Sequence, residues 1–212
     1  ADTLSIRTSR GSAISASDAR DARRVIDETF AALGPMVVKA ESGGSSIGMT
    51  FVRSAADCAR AVELLVASPR DVFRAEQIIE GREFTVGVIE HEGRELALPC
   101  SEIVMNPDRA FDYDGKYLGA GSTEITPAQL TAELREQLHA NALAIHKALG
   151  CEGYSRSDFI ADARGPVYLE TNTLPGLTGR SFIPQQLEAA GISFEQFLHD
   201  QIAIGVARRV RD

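Results

Sequence analysis

Tryptophan is absent, and lysine occurs only at Lys39, Lys116 and Lys147, so chemistry that needs an ammonium group has few places to occur. Cysteine is confined to Cys58, Cys100 and Cys151. An odd number of cysteines without a C-x-x-C pair supplies neither a disulfide framework nor a zinc site, and their apolar settings predict buried thiols. Basic residues are also in deficit, with 22 Lys and Arg against 30 Asp and Glu and a formal charge of −8. That balance argues against a nucleic-acid partner, whose phosphates demand a basic surface. No apolar run approaches the roughly 18–20 residues that span a bilayer, and the opening Ala-Asp-Thr-Leu-Ser lacks the basic-then-apolar order of a secretion signal. A cytoplasmic protein without a membrane partner is expected. With 212 residues, 44% of them apolar, the chain can bury a core as one domain or two small lobes.

Along the chain, residues 1 to 16 read as a tail or an irregular strand. Ser17-Asp18 then caps a helix carried by Ala22, Val25, Ile26, Phe30 and Leu33, which stops at Gly34-Pro35. Short strands at 36–39 and 49–52 flank the loop Glu41 to Gly48, and Ser54 opens a second helix through Cys58, Ala61, Val62, Leu65 and Val66. Strands at 72–77, 84–90, 95–99 and 103–104 are predicted to form an antiparallel meander turning at His91-Glu92-Gly93. The stretch 106–123 is a long loop suited to a lid, and Pro127 to Leu149 is the clearest helix. Strands at 153–160 and 167–171, a Pro/Gly-rich turn and two helices broken at Gly191 complete the chain. Helices and antiparallel strands without regular strand-helix-strand alternation make the class α+β.

Three clusters carry chemistry. The loop Glu41 to Gly48 contains Gly43-Gly44-Ser45-Ser46, whose backbone N–H groups and hydroxyls suit a phosphate, although such a loop also serves as a plain hairpin. It is not a P-loop, because Lys39 precedes the glycines and a strand follows them. In Arg156-Ser157-Asp158 and Glu170-Thr171-Asn172 the strand period puts Arg156 with Asp158, and Glu170 with Asn172, each pair on one face. If the turn 161–166 closes a hairpin with Asp158 opposite Glu170, the same register sets Arg156 opposite Asn172. Opposed carboxylates repel unless a cation lies between them, and two carboxylates with an amide oxygen suit Mg²⁺ bound together with phosphate. The other reading is a solvated face with an ordinary arginine-glutamate pair. The segment from Asn172 to Ser181 can offer the Gly176 N–H and the Ser181 hydroxyl to a carboxylate or oxyanion. Lys116, between Tyr113 and Tyr117, is a phosphate or carboxylate candidate in the lid loop.

These pieces occur in a familiar order. From about Pro35 to Val206 the chain resembles the ATP-grasp ligases, and within them the C-terminal part of the D-alanine:D-alanine ligase family. The matching stretches are Val37-Val38-Lys39 with Gly44 to Gly48, Glu80 to Val86, Phe111-Asp112-Tyr113 with Lys116-Tyr117, Gly150 to Asp158, and Glu170 to Thr178. The resemblance implies an ATP-grasp fold, with two α+β subdomains whose antiparallel sheets enclose the nucleotide. Residues 1–34 would be a tail and leading helix, 35–79 the small subdomain with the glycine-rich loop, and 80–212 the large subdomain with the lid loop 106–123 and the metal site.

By the same resemblance ATP is the co-substrate and D-alanine the substrate. Lys39 and Ser46 hold phosphate, Glu76, Gln77, Ile78 and Ile79 form a hinge strand facing adenine, Glu83 takes the ribose, and Lys116 reaches the γ-phosphate. Asp158, Glu170 and Asn172 bind two Mg²⁺ (or Mn²⁺) ions. Arg156 and the Gly176 N–H stabilise the acyl phosphate and tetrahedral intermediate, Ser45 and Tyr117 orient lid and substrate, and Ser181 receives the acceptor carboxylate. Ala40 departs from the proline usual after the lysine, and Gly179-Arg180 departs at the acceptor turn. The latter keeps D-lactate, D-serine or an L-amino acid open as acceptor, and a nucleotide-binding module without turnover is a third reading. The family's N-terminal domain has no counterpart here, so the chain is expected to be the ATP-grasp portion only, either cut or completed by a partner chain; a homodimer is the other expected association.

Overall fold

The structure is a computed structural model that describes residues 4–41, 49–105 and 122–209. It divides into two compact units, Ser9–Ile79 and a second that joins the residues up to Thr8 with those from Glu80 onward.

In the unit Ser9–Ile79, strands β1 (Gly11–Ser15), β2 (Met36–Ala40), β3 (Thr50–Val52) and β4 (Val72–Gln77) form a sheet in the order β1-β4-β2-β3. The first residues are therefore not a tail: Gly11 to Ser15 pair antiparallel with Glu76 to Val72. Helices α1 (Ala19–Leu33) and α2 (Ala55–Val66) bury the apolar stripe expected of them through Ala22 and Ile26 and through Cys58, Ala61 and Leu65, whereas Val66, expected on the same stripe, is exposed at the end of α2. Asp18 caps α1 by accepting from the Arg20 and Asp21 amides, and Ser54 with Asp57 forms a capping box on α2. The two-residue period of the strands sends Met36, Val38, Phe73 and Ala75 into a core with Ile14, Ile26, Cys58 and Leu65. Burying side chains of this size stabilises by about 1.5–3 kcal/mol each, before ordering costs. The alternate positions Lys39, Arg74 and Glu76 are left for the opposite face.

The second unit is built on a six-stranded antiparallel sheet, with β5 (Arg82–His91) at its centre between β9 (Tyr154–Asp162) and the pair β6 (Arg94–Ala97) and β7 (Ser101–Met105). The expected meander does not form. β6 pairs with Val88–His91 and β7 with Glu83–Thr85, both on one side of β5, and the Leu98 amide donates to the Gly87 carbonyl between them. The two are one run of chain interrupted near Pro99, which has no N–H for the ladder. β8 (Ser122–Ile125) follows beyond β7, so Ser122 and Thr123 of the expected lid belong to a strand. The remaining lid residues lie outside the described residues.

Helix α3 (Ala132–Ala148) begins five residues later than expected, because the Ala128 amide is committed to the Cys100 carbonyl and Thr131 caps the helix by accepting from the Leu134 amide. It covers one sheet face with Phe84, Val86, Val88, Leu138, Ala142 and Phe159 as core. The opposite face is covered at one end by α4 (Phe182–Ala190) and α5 (Phe194–Arg209), through Ile89, Leu98, Ile183, Leu187 and Phe197. Gly191, at φ 71°, ends α4, and Ser193 caps α5. β10 (Gly165–Asn172) pairs with β9 through a turn at 163–164, shorter than the expected 161–166. Cys58 and Cys100 are buried as expected, and burial pushes the Cys100 thiol up to about 12; Cys151 is only half-buried.

Candidate functional site

On the open face of the first unit's sheet, Lys39 Nζ lies 3.0 Å from Glu76 Oε2, while Arg74 Nε donates to Glu76 Oε1 at 3.1 Å. Glu76 is buried at 7% exposure, and two cations are its counter-charge. An anion entering here would compete with Glu76 for Lys39. β4 ends at Gln77, so Ile78 and Ile79 follow the hinge strand rather than extend it. Gln77 accepts from Arg10 through its side chain, and the Ile78 amide donates to the Pro35 carbonyl. Ser45 and Ser46 fall outside the described residues, as do Lys116 and Tyr117.

In the second unit Asp158 stands directly opposite Glu170, and Arg156 opposite Asn172. A register shift between Tyr168 and Glu170 accommodates one extra residue in β10 and is what brings Glu170 and Asn172 into these pairs. Inward residues Ser155, Ser157 and Phe159 alternate with outward Arg156 and Asp158 along β9. Arg156 grips Asp158 at two points, Nε to Oδ1 and Nη2 to Oδ2, both 3.0 Å, and its guanidinium carbon lies 5.5 Å from the Phe182 ring centre. Burial works to lower the Arg156 pKa, but the Asp158 hydrogen bond and the charges of Asp158, Glu170 and Glu124 outweigh it and raise the value, so this arginine stays charged.

Glu170 and Asn172 are exposed at the end of β10, and Asn172 Oδ1 accepts from the Leu174 amide at 3.0 Å. Among the described residues no three His, Cys, Asp or Glu side chains gather as a metal site. The expected donor set of two carboxylates and one amide oxygen fits a hard cation such as Mg²⁺, which takes few protein oxygens and completes its shell with phosphate and water. Glu83 lies on β5 in register with Ile160 and Ile103, on the same face as Asp158.

The acceptor segment folds back on itself. Ser181 caps α4 in position but not through its hydroxyl, which instead meets Thr178 Oγ1 at 2.9 Å. A Cβ on Gly176 would stand 2.9 Å from Ser181 Oγ, so the two expected substrate residues are adjacent and a side chain at 176 would displace the Ser181 hydroxyl. A cavity of about 360 Å³ lies against this segment, lined by Leu177, Gly179, Pro184, Gln185, Glu188 and Phe194. A larger one, about 450 Å³ between β1 and α1, touches no expected site residue.

Sequence reasoning missed three groups. Glu124 on β8 adds a third negative charge near Arg156 and accepts from Gln185 Nε2 at 2.9 Å. Thr85 and Gln186 are both fully buried, and Thr85 donates to Asp158 while Gln186 donates to the Thr85 carbonyl. Gln186 left a signal: it shares the i, i+3, i+4 stripe of Ile183 and Leu187, and a polar residue on an apolar helical stripe needs internal partners.

A lysine-bearing sheet face in one antiparallel unit and a carboxylate-arginine face in the other define an α+β protein of the ATP-grasp class. Solved structures carry the same fold. D-alanine–D-alanine ligase from Bacillus anthracis superimposes with a TM-score of 0.80 at 30% identity over 99% of this chain and 66% of that one. The VanG D-Ala:D-Ser ligase from Enterococcus faecalis gives 0.81 at 29% identity over 96% and 58%. The family described as the D-Ala D-Ala ligase C-terminus matches residues 10–203, and the chain belongs to it. Among curated relatives, D-alanine–D-alanine ligase of Leptospira interrogans is 39% identical over 178 residues, which are 82% of this chain and 50% of that protein. The chain thus spans about half the length of the curated relatives it matches. No helix among the described residues is long and apolar enough to cross a membrane.

Proposed function

We propose that this chain is the ATP- and metal-binding catalytic portion of a cytoplasmic ligase that joins two D-alanines into D-alanyl-D-alanine, a peptidoglycan precursor. The observation that carries the reading is the β9–β10 register, which aligns Asp158 with Glu170 and Arg156 with Asn172 beside the Gly176–Ser181 turn. The B. anthracis relative has also been solved complexed with ATP, at 25% identity and a TM-score of 0.76. The Leptospira relative bears the name D-alanine–D-alanine ligase, which favours D-alanine over D-lactate, D-serine or an L-amino acid as acceptor.

In this reading the first D-alanine carboxylate attacks the γ-phosphorus of ATP, giving an acyl phosphate and ADP. The amine of the second D-alanine then attacks the acyl carbon, and the tetrahedral intermediate expels phosphate. Arg156 holds the negative oxygens of the transferred phosphoryl group and the intermediate, and the Gly176 N–H donates to the oxyanion. Ser181 Oγ, at the N-terminus of α4, takes the acceptor carboxylate, and Lys39 turns from Glu76 to a nucleotide phosphate. Asp158, Glu170 and Asn172 would hold two Mg²⁺ or Mn²⁺ ions, which supply charge neutralisation on the phosphate oxygens. Lys116, Ser45, Ser46 and Tyr117 are assigned their phosphate and lid roles from sequence alone, as Glu83 is for ribose and Glu76 to Ile79 for adenine. Placing the first D-alanine falls to a front domain, in the same polypeptide or a partner; positioning of this kind supplies roughly 7–11 kcal/mol of a barrier.

The test is D-alanine-dependent phosphate release, with dipeptide identified by mass. It is run on the chain alone and on the chain joined behind the first half of the Leptospira relative. Dipeptide from the joined protein, lost in Arg156→Ala, supports the reading. A joined protein that is folded and binds ATP yet forms no dipeptide contradicts it.

A further inference from the structure

Thr85 on β5 lies directly opposite Asp158 on β9, is fully buried, and donates its hydroxyl to Asp158 Oδ1 at 2.5 Å. Arg156 holds the same carboxylate through Nε to Oδ1 and Nη2 to Oδ2. An ionised carboxylate oxygen accepts at about two sites. Both sites of Oδ1 are therefore filled, by Thr85 and Arg156, whereas Oδ2 has one filled by Arg156. Among the described residues no other donor reaches Oδ2, so Asp158 is held at three points with one acceptor site remaining.

Thr85 is itself held by the fold. Gln186 on α4 donates Nε2 to the Thr85 carbonyl and to Ser101 Oγ, both at 3.0 Å, and accepts from the Gly87 amide through Oε1 at 2.9 Å. Both donors and the acceptor of this fully buried amide are in use. A satisfied buried network of this kind specifies one arrangement of the elements it joins. Here it ties β5 to α4, the helix that begins at Phe182 beneath Arg156 and is capped in position by Ser181.

We propose that Thr85 is a positioning residue for the metal face: its hydroxyl occupies Asp158 Oδ1 so that the carboxylate offers a divalent cation Oδ2 alone, and Gln186 fixes the strand that carries it. The inference rests on the assignment of Asp158 as a metal ligand made above. Valine has the same branched shape as threonine but no donor, so it frees one site on Oδ1 and lets the carboxylate turn. Hydrogen bonds to metal ligands typically change metal affinity or activity ten- to a hundredfold.

The test titrates ATP into the 212-residue chain at a series of Mg²⁺ concentrations, for wild type, Thr85→Val and Thr85→Ser, with ATP affinity in chelator measured alongside. The Mg²⁺ concentration for half-maximal ATP binding is expected to rise about tenfold in Thr85→Val and to return to within about twofold of wild type in Thr85→Ser, which restores the donor. Affinity for ATP in chelator is expected to stay unchanged, whereas a merely structural role would weaken both alike. Thr85→Ala lacks the same donor and replaces Thr85→Val should the latter not fold. A donorless variant that keeps the wild-type Mg²⁺ requirement overturns the inference. A wild-type chain that binds ATP without any Mg²⁺ dependence defeats the metal assignment instead.

Discussion

Lys39 and Glu76 sit diagonally on neighbouring strands, Glu76 two residues beyond the Arg74 that pairs with Lys39, and their charged ends meet at 3.0 Å on one face of the first sheet. Glu76 is shared with Arg74, so the two contacts are unequal in consequence. Lys39→Ala leaves the buried Glu76 with Arg74 alone, and stability is expected to fall by about 1–3 kcal/mol. The same change removes a charge-assisted contact to phosphate, typically about 1.5–3 kcal/mol, and should weaken ATP binding at least about tenfold. Glu76→Gln removes the carboxylate that Lys39 and Arg74 share, leaving Arg74 only the longer 3.8 Å contact to Glu41, and should cost more stability than Lys39→Ala. Denaturant unfolding and ATP titration of both variants check the order.

Gly87→Ala is expected to destabilise by about 1–3 kcal/mol through overpacking. An added Cβ would stand 2.6 Å from both Gln186 Oε1 and Ile183 Cδ1, and 3.1 Å from Leu98 Cδ1. Gln186 must then give up its bond to the Gly87 amide or shift against Ser101. Urea unfolding measures the loss, and a variant as stable as wild type would show that α4 is not fixed to β5 as described.

Stability should fall as pH drops below the ordinary histidine value of 6.5, in part through His146. Its ring is fully buried, Nδ1 lies 2.7 Å from Ser155 Oγ, and Nε2 has no partner among the described residues. Burial lowers its pKa; the charges of Glu95 and Glu90 oppose this, and Lys147 adds to it. Because the unfolded chain takes up a proton at higher pH than the native one, the contribution is complete above about 6.5 and is lost as pH falls toward the depressed native value. His139 is lowered in the same direction, by burial first and then by Arg135. Melting temperatures between pH 8 and 5 are expected to decline less steeply in His146→Asn than in wild type.

The two-residue period made legible that Arg156 shares a face with Asp158 and Glu170 with Asn172, but the pairing of Asp158 with Glu170 stood only as a condition, because the turn alone would set Leu169 opposite Asp158 and the register shift after Tyr168 brings Glu170 there. Helices α1 and α2 were legible because cap and apolar stripe agree at Asp18 and Ser54. The continuity of β6 with β7 was hidden by Pro99, which interrupts a strand's hydrogen bonding without ending its direction. The start of α3 was misplaced because the Ala128 amide is taken by Cys100, a partner 28 residues away. Thr85, Gln186 and Glu124 escaped for the same reason, since their roles come from contacts between elements and not from spacing within one.

Glu170→Gln tests whether the β9–β10 face holds a divalent cation together with ATP. Glu170 is exposed and has no hydrogen-bond partner among the described residues, so its loss should leave the ligand-free chain within about 0.5 kcal/mol of wild type. The measurement is unfolding free energy with and without Mg²⁺ and ATP. At a hundredfold excess over the dissociation constant the wild-type chain should gain about 2.7 kcal/mol. Glu170→Gln at the same concentrations should gain less by about 1.4 kcal/mol for each tenfold loss of affinity. An equal gain in the two proteins, or a wild-type gain that does not need Mg²⁺, would contradict it.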